Sequence, residues 1–204
     1  MKILFEDENI IVAVKPIGVS SEEGMVKTLS EITGCKIYTL HRLDTAVGGV
    51  MVYAKTKSAA AFLSKEIAEK RFEKKYLAVV SGCPEENAGE MCDLLFKDSR
   101  KNKSFVVDRE RKGVKKARLT YEVLQKNEQK SLVKITLDTG RSHQIRVQFS
   151  HRGMALSGDG KYGSRYKGNI GLFSHSLTFT HPTTKEQMTF KETPDHPPFT
   201  EFEI

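Results

Sequence analysis

The stretch that decides the fold reads HRLDTAVGGVMVYAK and spans residues 41–55 of the 204-residue chain. Its second half, residues 49–54, is a short apolar run rich in strand-forming residues, which is typical of a buried β-strand. Gly48 precedes this run and Gly49 is its first residue, and the two glycines permit a tight turn. Asp44 lies shortly before them. The stretch therefore predicts a loop that carries an acidic residue and leads directly into a buried strand.

The segments on either side of this stretch predict a sheet with few helices. Alternating or apolar runs predict strands at residues 2–6, 10–14, 76–80, 119–125, 132–138, 177–180 and 187–190. Helical spacing predicts helices at residues 57–71 and 142–152, and a capping box of Ser20 and Glu23 opens a helix that ends near Gly34. The pattern predicts an α+β fold in which a mixed, mostly antiparallel central sheet is flanked by a few helices.

Apolar residues at helical spacing predict the buried faces of two of these helices. In the first helix the predicted buried residues are Val26, Leu29 and Ile32. In the second they are Ala59, Phe62, Leu63 and Ile67.

The composition is that of a folded protein with one domain over residues 1–204. It is 38% hydrophobic and 29% charged, and its three cysteines form no CxxC pair, which predicts reduced thiols and no zinc site. No run approaches the roughly 20 apolar residues of a membrane span. Acidic residues occupy positions 6–8, where a signal peptide would have its apolar core. These features predict a cytoplasmic protein without a membrane segment.

A basic excess indicates a polyanionic partner, although many basic proteins bind no nucleic acid. The formal net charge is +7, and nine lysines and arginines fall within residues 97–116, which we call the basic stretch. Only Asp98, Asp108 and Glu110 oppose them there. Two interpretations stay open for the basic stretch: a solvated hairpin, or a loop that faces the phosphates of an RNA.

Two further motifs lie downstream of Asp44. Residues 74–76 read KKY and open a predicted strand, where a tyrosine is usually a half-buried packing residue. Residues 139–146 read TGRSHQIR, in which Gly140 permits a sharp turn out of a strand and Arg141 lies at the junction with a helix. Each of these motifs alone is compatible with a structural role. The same holds for Asp44, which could form a structural ion pair with the nearby Arg42.

Together the three motifs resemble those of the RluA-type RNA pseudouridine synthases, in the same order and at similar spacing. The matching residues are HRLD at 41–44, Lys74 and Tyr76, and TGRSHQIR at 139–146. Weaker matches extend the resemblance to nearly the whole chain: KPIG at 15–18, GDGKYG at 158–163, and His175. The family usually has TSG where this chain has VGG at residues 47–49, so hydroxyl groups are absent but the glycine-rich turn is kept.

The resemblance implies a pseudouridine-synthase-like fold with a central active-site cleft, and a role for five residues. Asp44 would be the nucleophile, attacking the base or C1′ of uridine or forming a glycal-like intermediate. Arg141 would pair with Asp44 and keep it ionised. Tyr76 would lie against the target uracil and assist proton removal from C5, and Ile145 would line the other side of the pocket. Arg42 would act near the nucleotide that leaves its stack.

The resemblance further implies a protein that needs no cofactor and no metal, because the isomerisation involves no redox change. The expected partner is RNA, namely a stem-loop of rRNA or tRNA, and the expected state is a monomer. Many relatives carry a small N-terminal RNA-binding module. Here the motifs begin too early for one, so the catalytic domain itself is expected to hold the substrate.

Three other interpretations fit the motifs less well. A non-catalytic RNA-binding protein predicts damage to the nucleophile, the tyrosine or the arginine of the motifs, and none is seen. A hydrolase acting on a glycosidic bond typically uses two opposed carboxylates, whereas the motifs hold one, apart from Asp159, which is expected to support a loop. A metalloenzyme would need a ligand set such as His41, His143, His151 and Asp44, whose spacing fits no metal motif.

Overall fold

The computed structural model describes all residues from 1 to 204 and divides the chain into two compact units. The first unit comprises Met1–Lys75 and Phe173–Pro194, and the second comprises Tyr76–Leu172 and Asp195–Ile204. The strands and α-helices are, in chain order, β1 Lys2–Glu6, β2 Ile10–Lys15, α1 Gly24–Thr33, β3 Tyr38–Thr39, β4 Gly48–Ala54, α2 Lys57–Ala68, β5 Glu73–Ser81, β6 Ala88–Asp98, β7 Lys103–Val107, β8 Val114–Lys126, β9 Lys130–Leu137, α3 Gln144–His151, β10 Leu172–Thr180 and β11 Gln187–Lys191. The single catalytic domain expected over residues 1–204 stays a prediction.

Strands β1, β2, β4 and β10 follow one another in the sheet of the first unit. The pairs β1–β2 and β2–β4 are antiparallel, whereas β4 and β10 run parallel. Strands β3 and β11 extend β4 and β10 by antiparallel pairing. Every residue of β4 is buried, which confirms the buried strand predicted at residues 49–54.

Helix α2 covers an apolar cluster of the first unit. Ala59 and Leu63 are buried in this cluster together with residues of β2, β4 and β10, and Phe62 and Ile67 pack against it from its edge. The predicted inward face of this helix is therefore confirmed, but the helix ends at Ala68 rather than at residue 71. None of the three α-helices has the length and apolar composition that a membrane span requires.

The predicted buried face of α1 is partly wrong. Leu29 is buried as predicted, but Val26 is half-buried and Ile32 is 53% exposed, while Met25, which was not predicted, is buried. Two residues four positions apart are enough to anchor this ten-residue helix, and Ile32 lies one turn further on, near its last residue. The predicted end of the helix is confirmed, because Gly34 takes the left-handed conformation of a C-terminal cap.

The strands of the second unit follow one another in the order β5, β9, β8, β6, β7. The pairs β6–β7, β6–β8 and β8–β9 are antiparallel. Strand β6 was not predicted, since its sequence AGEMCDLLFKD has no clean alternation; it forms because both of its edges are paired. Helix α3 packs on β6 and β7, with Val147 in a cluster with Leu95, Ala117 and Tyr162. The predicted mixed, mostly antiparallel sheet with few helices is confirmed.

Candidate active site

Asp44 lies in a turn that the first unit holds from several sides. The Ser21 hydroxyl accepts a hydrogen bond from the amide of Leu43 and donates one to its carbonyl, each at 3.0 Å. The Tyr53 hydroxyl donates to the Ser21 carbonyl at 3.2 Å, and the Val47 amide donates to the Asp44 carbonyl at 2.9 Å. These bonds place the Asp44 backbone at the entrance to β4 and leave its side chain half-buried.

A buried lysine lies beside this turn. Lys15 is fully buried, and its ammonium donates to the carbonyls of Pro16 at 3.0 Å, Val19 at 2.6 Å and Thr45 at 3.3 Å. Burial lowers the pKa of Lys15 to about 8, while the attraction of the Asp44 carboxylate acts in the opposite direction. Since that attraction is mutual, Lys15 stabilises negative charge on Asp44. Sequence reasoning missed this role, although the KPIG match contained the residue.

The glycine that follows the turn is required by the packing of β4 on β10. Gly49 has a φ of +123°, and a Cβ at this position would lie 2.4 Å from the carbonyl oxygen of Ser174. We expect Gly49→Ala to lower the free energy of unfolding by about 3 kcal/mol or more, because it adds both a clash and backbone strain. Urea unfolding measures this loss.

The matched control for this prediction is Gly160→Ala, where an added Cβ meets nothing within 4 Å. Its expected change is below about 1 kcal/mol. Equal unfolding free energies for the two variants would contradict the proposed close approach of β4 and β10.

The third motif is held in shape by Gln144. Its side-chain oxygen accepts hydrogen bonds from the Thr139 hydroxyl at 2.8 Å and from the Arg141 amide at 3.0 Å, and its side-chain nitrogen donates to the Arg118 carbonyl at 3.1 Å. His143, just before α3, takes a left-handed conformation with φ +53°. The hydrogen bonds of Gln144 thus connect the end of β9 to the start of α3 and stabilise the turn between them.

A buried ion pair joins α3 to the loop of the weaker GDGKYG match. Nε of Arg146 lies 2.6 Å from Oδ2 of Asp159, and Nη2 lies 2.9 Å from Oδ1. The side chains are 7% and 1% exposed. The Tyr162 ring lies 5.1 Å from the Arg146 guanidinium, and its hydroxyl lies 2.9 Å from Nδ1 of His143. Sequence reasoning gave Arg146 no role, although it lies within the matched motif.

Comparison with known proteins agrees with this arrangement of motifs. The sequence profile of the family described as RNA pseudouridylate synthase matches residues 9–151, which is more than half of the chain. The chain belongs to this family. The matched segment contains the Asp44 turn, β5 and the whole of the third motif.

Individual members of the pseudouridylate synthase family show how far the similarity extends. The "Uncharacterized RNA pseudouridine synthase YhcT" of Bacillus subtilis is 32% identical over 203 residues, which cover 91% of this chain and 66% of that protein. The "Ribosomal large subunit pseudouridine synthase C" of Buchnera aphidicola is 33% identical over 205 residues, with 91% and 64% covered. The chain thus spans just under two thirds of the length of these curated relatives.

The fold agrees with that of a solved member of the pseudouridylate synthase family. The structure of "Human RNA Pseudouridylate Synthase Domain Containing 1" matches with a TM-score of 0.81 and covers 95% of this chain and 83% of that chain. The sequences are 24% identical, so this likeness shows the fold alone. It confirms the predicted pseudouridine-synthase-like fold.

The site residues predicted from the sequence fall in both units. Asp44 and Arg42 belong to the first unit, and Tyr76, Arg141 and Ile145 belong to the second. Tyr76 on β5 is 6% exposed and Ile145 on α3 is 4% exposed. Arg141 is exposed, and its Nε donates to the Lys116 carbonyl at 2.9 Å.

Arg42 lies on the surface of the first unit. Its guanidinium lies 3.1 Å from the Glu22 carboxylate, and the two side chains are 62% and 59% exposed. Such exposed ion pairs contribute at most about 1 kcal/mol. Little therefore holds the Arg42 side chain in its present position.

Proposed function

We propose that this chain is an RNA pseudouridine synthase that converts uridines of structured RNA to pseudouridine, with Asp44 as the nucleophile. The reaction breaks the N1–C1′ bond, turns the uracil, and forms a C5–C1′ bond; C5 then loses its proton and N1 gains one. The chemistry needs a carboxylate that stays charged. The observation that carries the proposal is the half-buried Asp44 on its Ser21-anchored turn, beside the buried ammonium of Lys15.

The other proposed roles rest on the resemblance and on the surroundings of each residue. Tyr76 and Ile145 offer buried aromatic and apolar surfaces, which suit an extruded uracil. Arg42 is weakly held and is proposed to contact the displaced nucleotide. The resemblance assigns to Arg141 the guanidinium that keeps the nucleophile ionised; this side chain is exposed, and its Nε donates to the Lys116 carbonyl.

The proposed substrate is a stem-loop of rRNA or tRNA, modified by a monomer in the cytoplasm without metal or cofactor. The name of the Buchnera relative refers to the large ribosomal subunit, which supports rRNA. The basic pI of about 9.2 agrees with an RNA partner.

Tritium release tests the proposed reaction directly, because pseudouridine formation expels the hydrogen of uridine C5. Total RNA labelled at C5 would be taken from cells that lack this gene and separated by size. Release from one pool by the wild-type protein would support the function and identify the substrate class. No release from any pool would contradict the proposed function.

The basic stretch forms the hairpin turn between β6 and β7, strand β7 itself, and the connection that leads from β7 to β8 on the other side of β6. Three of its nine cations have partners in the protein, one of them being Lys116, whose Nζ lies 3.9 Å from the Glu110 carboxylate. Lys103 donates to the Lys161 carbonyl at 2.6 Å, and the Arg111 guanidinium lies 4.8 Å from the centre of the Phe96 ring. The side chains that are exposed and make no such contact include Arg100, Lys101, Lys112 and Lys115.

Neutralising these four side chains by glutamine tests whether the basic stretch contacts RNA phosphates. We expect the slope of log affinity against log salt to fall by about 0.7 to 0.9 for each phosphate that these cations neutralise in the wild-type complex, because fewer counterions are released. Binding of labelled total RNA at several salt concentrations measures this slope.

The control removes four exposed cations of the first unit whose side chains form no hydrogen bond, ion pair or ring contact. These are Lys27, Lys57, Lys70 and Lys191, again replaced by glutamine. Because both variants lose the same formal charge, equal slopes would show a general charge effect and favour the solvated-hairpin interpretation.

A further inference from the structure

Lys74 carries a half-buried ammonium that has no counter-ion in the protein. Its Nζ lies 5.3 Å from the centre of the Phe72 ring and takes part in no hydrogen bond or ion pair. Burial lowers the pKa of Lys74 to about 8, and no carboxylate acts against this shift. The neighbouring Lys75 does have a counter-ion, because its Nζ lies 2.8 Å from the Glu73 carboxylate.

The surroundings of Lys74 offer no negative charge. The His41 ring is tilted against the Phe72 ring, with 5.5 Å between their centres. Burial, and then the charge of Lys74, hold the pKa of His41 well below its usual range, so this imidazole is neutral. Its Nδ1 is buried without a hydrogen-bond partner, and its Nε2 accepts from the Val52 amide at 3.4 Å. The site thus combines one cation, one aromatic ring and one neutral imidazole.

A site of this kind favours an anion from outside the protein. Removing an ammonium from water is unfavourable unless hydrogen bonds or an opposite charge replace the lost hydration. Neither is present around Lys74. An anionic ligand would supply both, and a phosphodiester is the anion that an RNA brings in quantity.

We infer that the Lys74 ammonium binds a backbone phosphate of the substrate RNA next to the target uridine. This inference rests on the proposed function and adds a binding residue to it. Because side chains alternate along a strand, Lys74 and Tyr76 share one face of β5. If Tyr76 lies against the uracil, Lys74 is directed to the backbone of the same stretch of RNA.

The test measures binding of a fluorescein-labelled oligouridylate at several salt concentrations. We expect Lys74→Met to weaken binding roughly tenfold at low salt, as for the loss of one charge-assisted hydrogen bond. The slope of log affinity against log salt should fall by about 0.7, the value for one phosphate of a single strand. Lys75→Met is the matched control, and both quantities should stay at the wild-type value.

Lys74→Arg provides a rescue that a merely structural role would not show. Arginine stays charged at all relevant pH values, whereas the wild-type ammonium loses its proton as the pH rises through about 8. At about pH 9 Lys74→Arg should therefore bind the oligouridylate more tightly than wild type. Equal loss of affinity with pH in both proteins would overturn the inference.

Unfolding experiments separate binding from packing. Because Lys74→Met removes a dehydrated cation without a partner, its unfolding midpoint in urea should equal or exceed that of wild type. A lowered midpoint with unchanged affinity and slope would show that Lys74 only packs on Phe72, which overturns the inference.

The tritium assay distinguishes failure of this inference from failure of the proposed function. Tritium release by wild type, together with an unchanged salt slope for Lys74→Met, would overturn the inference and leave the function standing. No release by wild type, together with a reduced slope, would support phosphate binding by Lys74 and overturn the function.

Discussion

Replacing Asp44 by asparagine is expected to abolish tritium release from C5-labelled RNA, with a loss of roughly 10⁴-fold or more in rate. Asparagine keeps the size of the side chain but removes the charge and the nucleophilic oxygen. The turn should persist, because the bonds from Ser21 and Val47 involve the backbone rather than the Asp44 carboxylate. RNA affinity is expected to stay near that of wild type.

A surface carboxylate provides the control for this prediction. Asp138→Asn removes the same charge from an exposed residue that lies 3.2 Å from Arg118, and its turnover should equal that of wild type. The unfolding free energy of Asp44→Asn should change by about 1 kcal/mol or less, since Lys15 keeps its three carbonyl partners. Substantial turnover by a folded Asp44→Asn protein would show that the nucleophile is misassigned.

Replacing Arg146 by alanine is expected to lower the free energy of unfolding by about 3–5 kcal/mol. The change removes two charge-assisted bonds from Asp159, whose carboxylate is 1% exposed and would stay buried. Urea unfolding at neutral pH measures the loss. Arg146→Lys keeps the charge but cannot form the bidentate hydrogen bonds to Asp159, so an intermediate loss of unfolding free energy is expected.

Arg141→Ala is the matched control, because it removes the same side chain from an exposed position. Loss of the hydrogen bond to the Lys116 carbonyl should change the unfolding free energy by less than about 1 kcal/mol. Its turnover then tests the role that the resemblance assigns. A strong loss of turnover would support Arg141 as the partner of the nucleophile. Normal turnover would contradict that role.

Local signals were sufficient for many elements of the fold. Strand β1 has the bounds predicted from its short apolar run, and β8 and β9 pair antiparallel where alternation predicted it. The C-terminal cap at Gly34 also follows from a local preference, because glycine adopts positive φ without strain. These features depend on residues close together in the chain.

Features that depend on strand pairing, or on burial of a side chain beneath another element, were predicted less well. Strand β6 has a weak pattern of its own and is formed between β7 and β8. Ile32 has the spacing of a buried residue, but no other element covers it and it is 53% exposed. Propensity describes a segment alone, whereas burial depends on its neighbours in space.

The sequence by itself determined the family, the α+β class and the order of the three motifs, because residue types and spacings carry that information. Only the tertiary structure decided how each charged side chain is surrounded. It buried Lys15 beside Asp44, paired Arg146 with Asp159, left Arg141 exposed and left Lys74 without a counter-ion. The physical reason is that hydration and charge pairing depend on segments far apart in the chain, which no local pattern specifies.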